Sequence, residues 1–182
     1  METTGWAGRL AGELLAPLGD RWLHVQAVAD QAGRVGEHLP PQQAELLQAA
    51  AWLHDVGYAP ELAVTGFHPL DGAGHLVRLG HIELAGLVAH HSCAFVEAEL
   101  RGLADQLAQF TAGPAPVVDA LAYCDMTSGP AGERVTLERR IEEVDCRYGS
   151  SHLVARSIKR ARPCLEHAVR HTQELMTSAQ PV

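Results

Sequence analysis

The chain is poor in several features that mark large classes of protein. Lysine occurs once, at Lys159, and acidic residues outnumber basic ones by 22 to 14, for a formal net charge of -8. That balance disfavours broad electrostatic attachment to nucleic acid or to anionic membranes, so neither is expected as a partner. No stretch offers 18 unbroken apolar residues, which argues against a transmembrane helix. The opening METTGWAGRLAGELLAPLG has no basic start followed by a long apolar core, so no signal peptide is expected and the cytoplasm is the default location. The four cysteines, Cys93, Cys124, Cys146 and Cys164, form no CxxC pair, so a zinc knuckle or dithiol redox motif is not indicated. Each lies in a mostly apolar or helical stretch and is expected to be a buried free thiol. Runs of alternating β-branched residues are also missing, which leaves no basis for a sheet.

Alanine, leucine and glutamate fill the space, and they favour helices. The pattern predicts an all-α fold: one domain over 1–182, a helical bundle of about eight or nine helices with its core at about 20–150. A first helix ends near Pro17 and Gly19. Asp20 is expected to cap a second, from about Arg21 to His38. Pro40-Pro41 ends that helix and opens a third, through about His54. APELAVTGFHP reads as a loop. Helices follow over about 69–79 and 81–91, one or two short ones over 95–110, then 117–125, 134–147 and 150–175, the last with Pro163 expected to kink it.

Histidine is the abundant residue, with 11 copies. His24 lies among apolar neighbours in RWLHVQAVA. His54 and Asp55 end the third helix in AAAWLHDVGYAP. His68 opens the fourth in GFHPLDGAGHL, His90 and His91 end the fifth in LAGLVAHHS, and Asp125 ends a later helix in ALAYCDM. A lone histidine on an apolar face is most often a hydrogen-bonded core residue. Five helices each bringing such a group are different, because buried polar groups need partners and a metal cluster satisfies them together. At a helix end the adjacent His54 and Asp55 can reach one cavity, with Asp55 shared between two cations. His24, His54, Asp55 and Asp125 are then the ligands of a first site. Asp55, His68 and one or both of His90 and His91 are those of a second.

The order His24, His54-Asp55, Asp125 resembles the HD superfamily of metal-dependent phosphohydrolases, over about residues 20–150. The segments HPLDGAGHLVRLG and AHHS resemble the extra ligands of its dinuclear branch. The resemblance implies an enzyme that cleaves a phosphate ester or anhydride of a small, nucleotide-like molecule with a metal-activated water. It implies a divalent transition metal cofactor, two ions of Fe, Mn, Zn, Co or Ni. Asp55, His90 and His91 are the candidate catalytic residues, with whichever of the histidine pair is not a ligand moving a proton to the leaving group. Two departures from the family stand out. Tyr58 occupies the place where many members carry a lysine, and the GYP motif of the cyclic-dinucleotide phosphodiesterases is missing after His90-His91, which discounts their substrate. Some HD proteins use the same scaffold as diiron oxygenases, and a non-catalytic regulatory module is a further alternative. On the late helices Arg147, Arg156, Lys159 and Arg160 are candidates to hold a distal phosphate, and Glu97 and Glu99 read as surface charges.

Overall fold

The computed structural model describes residues 2–178. Among them the architecture is all-α, with ten α-helices and no strand. They are α1 (Glu2–Leu15), α2 (Asp20–Gly36), α3 (Pro41–Leu53), α4 (His68–Arg78), α5 (Ile82–His90), α6 (Phe95–Arg101), α7 (Ala104–Leu107), α8 (Ala115–Met126), α9 (Leu137–Tyr148) and α10 (Leu153–Ser178). The count exceeds the expected eight or nine because the 95–110 stretch contributes two, the second only four residues long.

Local chemistry explains most boundaries. Pro41 starts α3 at a position where its missing N–H is no loss. Gly102 ends α6 in the left-handed conformation, which glycine reaches without a Cβ penalty. Thr136 caps α9, its hydroxyl accepting the Arg139 N–H at 3.2 Å. The expected Asp20 cap is corrected: Gly19, with φ at 58°, holds the cap position, and Asp20 lies in the first turn of α2, where a negative charge suits the helix dipole. α10 continues through Pro163.

α3 is the centre of the packing. It lies against α1, α2, α5 and α8, and Ala49, Ala50 and Ala51 are fully buried on it. Small side chains on a central helix let its neighbours approach closely, so everything attached to its C-terminus is deep in the protein. A second, smaller core joins Cys93, Val96, Met126, Leu137, Ile141, Ala161 and Leu165. It joins α9 and the middle of α10 to α6, the turn at Cys93 and the end of α8.

The expectation of four buried free thiols is overturned. Cys93 and Cys164 form a disulfide that closes a loop of 71 residues, and Cys146 is exposed. Only Cys124 is a buried free thiol. Spacing could not reveal the pair, because it joins a turn to a helix far along the chain. No helix among the described residues is long and apolar enough to cross a membrane.

Candidate metal centre

Six of the seven sequence-chosen residues meet at one end of α3. His54 and Asp55 follow its last turn. α2 supplies His24, α4 supplies His68, and α8 supplies Asp125. His91 comes from the short 3-10 turn His91–Cys93. His24, His54, Asp55, His91 and Asp125 are each at most 7% exposed. They form two triads, His24–His54–Asp125 and Asp55–His68–His91, and within each the donor atoms lie within 4.8 Å of one another.

The triads touch. His54 Nε2 is 4.0 Å from Asp125 Oδ1 and 3.7 Å from Asp55 Oδ1. His68 Nε2 is 3.4 Å from that same Asp55 oxygen and 3.2 Å from His91 Nε2. Asp55 Oδ1 therefore faces both triads. Its Oδ2 accepts from Arg21 Nη1 at 2.5 Å.

Backbone carbonyls orient the rings. A carbonyl only accepts, so a ring nitrogen at hydrogen-bond distance from one must carry the proton. His54 Nδ1 donates to Ala51 O at 2.8 Å, His91 Nδ1 to Val88 O at 2.7 Å, and His24 Nδ1 to Gly129 O at 3.2 Å. All three Nε2 atoms then point inward. His54 Nε2 is buried with no hydrogen-bond partner.

The electrostatics point the same way. Burial pushes the His54 and His68 imidazoles down from their ordinary range, which keeps both neutral. Burial pushes the Asp55 carboxyl up, but Arg21 and the surrounding imidazoles outweigh it and hold the group well below the usual carboxylate range. Asp125 is likewise held low, by His24 and His54 against its own burial. The result is two ionised carboxylates facing inward-turned imidazole nitrogens, one of them orphaned. Lone pairs so arranged repel unless a cation lies between them. A divalent transition metal with imidazole and carboxylate ligands fits this set.

His90 is not brought to either triad. Its Nε2 donates to Phe110 O at 2.7 Å. His90 is the last residue of α5, whereas the chain leaves the helix at His91, with ψ at 150°, so the two side chains part. That corrects its expected place as ligand or proton donor.

The local backbone explains why these side chains converge. A Cβ on Gly57 would lie 2.0 Å from His68 O and 2.6 Å from Gly72 N. Only glycine lets the 3-10 turn Val56–Tyr58 press on the start of α4, which brings His68 to Asp55. Asp71 grips the preceding loop by accepting from Thr65 N and Oγ1, each at 2.8 Å, and from Gly66 N at 3.1 Å. After His91 the chain is strained: Ser92 and Cys93 have φ of 49° and 57°, a left-handed conformation that costs a non-glycine residue about 1–2 kcal/mol. A hydrogen bond from Ser92 Oγ to Asp125 Oδ2 and the Cys93–Cys164 disulfide hold it there.

A cavity of about 90 Å³ opens beside the second triad. Its wall includes Arg21, Tyr58, Glu97, Arg140, Arg147 and Tyr148. The Arg21 guanidinium stands 3.5 Å over the Tyr58 ring, which stacks on His68 at 4.0 Å. Arg21 thus brings a guanidinium from α2 to the side of Tyr58, paired with Asp55. Of the four candidates to hold a distal phosphate, Arg147 alone reaches the wall, where Glu143 holds it. Arg156 is exposed, and Lys159 and Arg160 pair with Asp145 and Glu99. Glu99 is exposed as expected, but Glu97 is half-buried and binds Arg101.

The family model for the HD domain matches residues 21–141. The chain belongs to the HD domain family. That family consists mostly of metal-dependent hydrolases, and the two triads are the clusters of this HD domain that can hold a metal. No curated protein and no solved structure matches the chain. Sequence reasoning missed Arg21, Ser92 and Arg140. Arg21 carried a signal, since it lies three residues before His24 and shares its helix face. Ser92 carried none, because its role depends on a left-handed backbone.

Proposed function

We propose that this HD domain hydrolyses a phosphate ester or anhydride of a small molecule at a two-cation centre. The observation that carries the reading is Asp55 Oδ1, a single ionised oxygen turned toward the Nε2 atoms of both His54 and His68. His24, His54 and Asp125 would hold one cation, and His68 and His91 the other, with Asp55 common to both. Such cations supply Lewis acidity, lowering the pKa of an attacking water and offsetting charge on the phosphoryl oxygens.

The chain's own groups do the rest. Arg21 fixes Asp55 through Oδ2, which leaves Oδ1 for the centre. Arg21, Arg140 and Arg147 line the cavity, Arg21 held by Asp55 and both Arg140 and Arg147 by Glu143; a guanidinium has five N–H donors, so one that binds a carboxylate keeps donors for a phosphate oxygen. Burial pushes the Tyr58 phenol up, so it keeps its proton and can donate a hydrogen bond to a leaving-group oxygen. At about 90 Å³ the cavity is well below the roughly 300–1,000 Å³ of pockets that enclose drug-sized ligands. It suits a phosphoryl group and the first atoms of its leaving group, with the remainder at the mouth.

The test is phosphate release from a panel of nucleotides and small phosphoesters by protein loaded with Mn²⁺, Fe²⁺, Co²⁺, Ni²⁺ or Zn²⁺. The reading expects turnover of at least one substrate that Asp55→Ala abolishes. No phosphate release from any substrate, together with oxygen uptake by the iron-loaded protein, would overturn it.

A further inference from the structure

A third group of metal-ligating side chains lies outside the HD centre. Asp119 projects from α8, and His167 and His171 project from α10 at i and i+4, on one face of that helix. His171 Nδ1 is 2.6 Å from Asp119 Oδ2, and His167 Nε2 is 3.9 Å from the same oxygen. The three donor atoms lie within 4.8 Å of one another. Asp119 comes six residues before Asp125, which puts it about 9 Å along α8 from the central site and turned by roughly 240° about the helix axis. The two clusters share no residue.

We propose that Asp119, His167 and His171 form a separate surface site for a divalent transition metal of the zinc class, which pins α10 to α8. The donor set is two imidazoles and one carboxylate, which suits Zn²⁺, Cu²⁺ or Ni²⁺ and excludes preference for Ca²⁺ or Mg²⁺. Tetrahedral ligands on bonds of about 2.0–2.1 Å stand roughly 3.3–3.4 Å apart. The two distances to the Asp119 oxygen, 2.6 and 3.9 Å, bracket that value. Reaching it takes side-chain shifts of about 0.5–0.8 Å. Both histidines can make them, since their side chains are 62% and 45% exposed. Without metal, the proton on His171 Nδ1 joins it to Asp119; the cation takes the place of that proton. Three protein ligands leave a fourth position to water. The geometry also gives the site a consequence: α8 carries Asp125 and α10 carries Cys164, so a cation here braces the two helices that flank the HD centre.

The experiment uses full-length protein stripped with chelator and titrated with Zn²⁺. Stoichiometry is compared between wild type and His167→Ala/His171→Ala, with circular dichroism to check folding. The expected result is one Zn²⁺ per chain fewer in the variant, and a zinc-dependent rise in melting temperature that shrinks with it. A Cu²⁺-loaded His54→Ala/Asp55→Ala protein gives a second readout. Its electron paramagnetic resonance spectrum should show coupling to two imidazole nitrogens, and His171→Ala should remove one. If that central variant does not fold, the wild-type comparison still decides. Equal zinc stoichiometry in wild type and the α10 double variant overturns the proposal, as does a copper spectrum that His171→Ala leaves unchanged.

Discussion

Gly57→Ala separates the two halves of the centre. The added Cβ would lie 2.0 Å from the His68 carbonyl oxygen, against an ordinary contact of at least 3.4 Å. The obstacle is backbone, so no rotamer change relieves it. The turn Val56–Tyr58 and the start of α4 must part by about 1.4 Å, the shortfall from normal van der Waals distance. Metal–ligand bonds tolerate about 0.2 Å. His68 therefore leaves the Asp55 triad, while His24, His54 and Asp125, on α2, α3 and α8, stay in place. Overpacking of this kind costs about 1–3 kcal/mol, and in a chain of this size each kcal/mol lowers the melting temperature by roughly 2–4 °C. Metal analysis should find two cations per HD centre in wild type and one in the variant, and turnover should fall about 100-fold, the usual penalty for an ångström of misplacement. Gly74→Ala is the control: its Cβ would meet only the Arg78 side chain, at 3.7 Å, inside α4. It should be neutral or stabilising by up to about 1 kcal/mol. If Gly57→Ala keeps both cations and wild-type melting, the explanation of this glycine is wrong.

Three further outcomes are expected. Cys93→Ser/Cys164→Ser should destabilise the oxidised protein by up to about 4 kcal/mol on the chain-entropy account of a 71-residue loop, read from urea unfolding with and without a thiol reductant; equal stability of variant and wild type would refute the cross-link's role. Arg21→Met keeps the bulk and removes the charge; it should lower kcat/KM by about 10–150-fold, the worth of a charged hydrogen bond, while retaining the cations, and unchanged kcat/KM would remove Arg21 from the substrate mouth. The metal-free protein should lose stability as pH falls from 7 to 5. Burial lowers the folded pKa of His54 and His68, so the unfolded chain binds these protons first; each contributes up to about 1.4 kcal/mol per pH unit below its unfolded value near 6.5. Melting temperatures that stay flat across that range would contradict the buried neutral state.

The sequence made the helices readable because their ends are marked chemically, at Pro17, Gly19 and Pro40-Pro41. It also made five of the helix-borne site groups readable, since His24, His54, Asp55, His68 and Asp125 interrupt apolar stretches. It could not separate His90 from His91: which of two neighbours turns inward depends on where α5 ends, within one residue. It could not show the Cys93–Cys164 bond, which depends on long-range packing, or Ser92, which depends on a strained backbone. Tyr58 stands where many family members carry a lysine. The structure shows Arg21 of α2 stacked on Tyr58, a contact that adjacency in the chain does not reveal.

The central claim is that Asp55 serves two cations. The most direct test is a crystal structure of the metal-loaded protein with anomalous diffraction measured at the metal's absorption edge. The account predicts two anomalous peaks at the HD centre, one in each triad, about 3.5–4 Å apart with Asp55 Oδ1 between them. A single peak in the His24–His54–Asp125 triad, with His68 and His91 unligated at saturating metal, would contradict it.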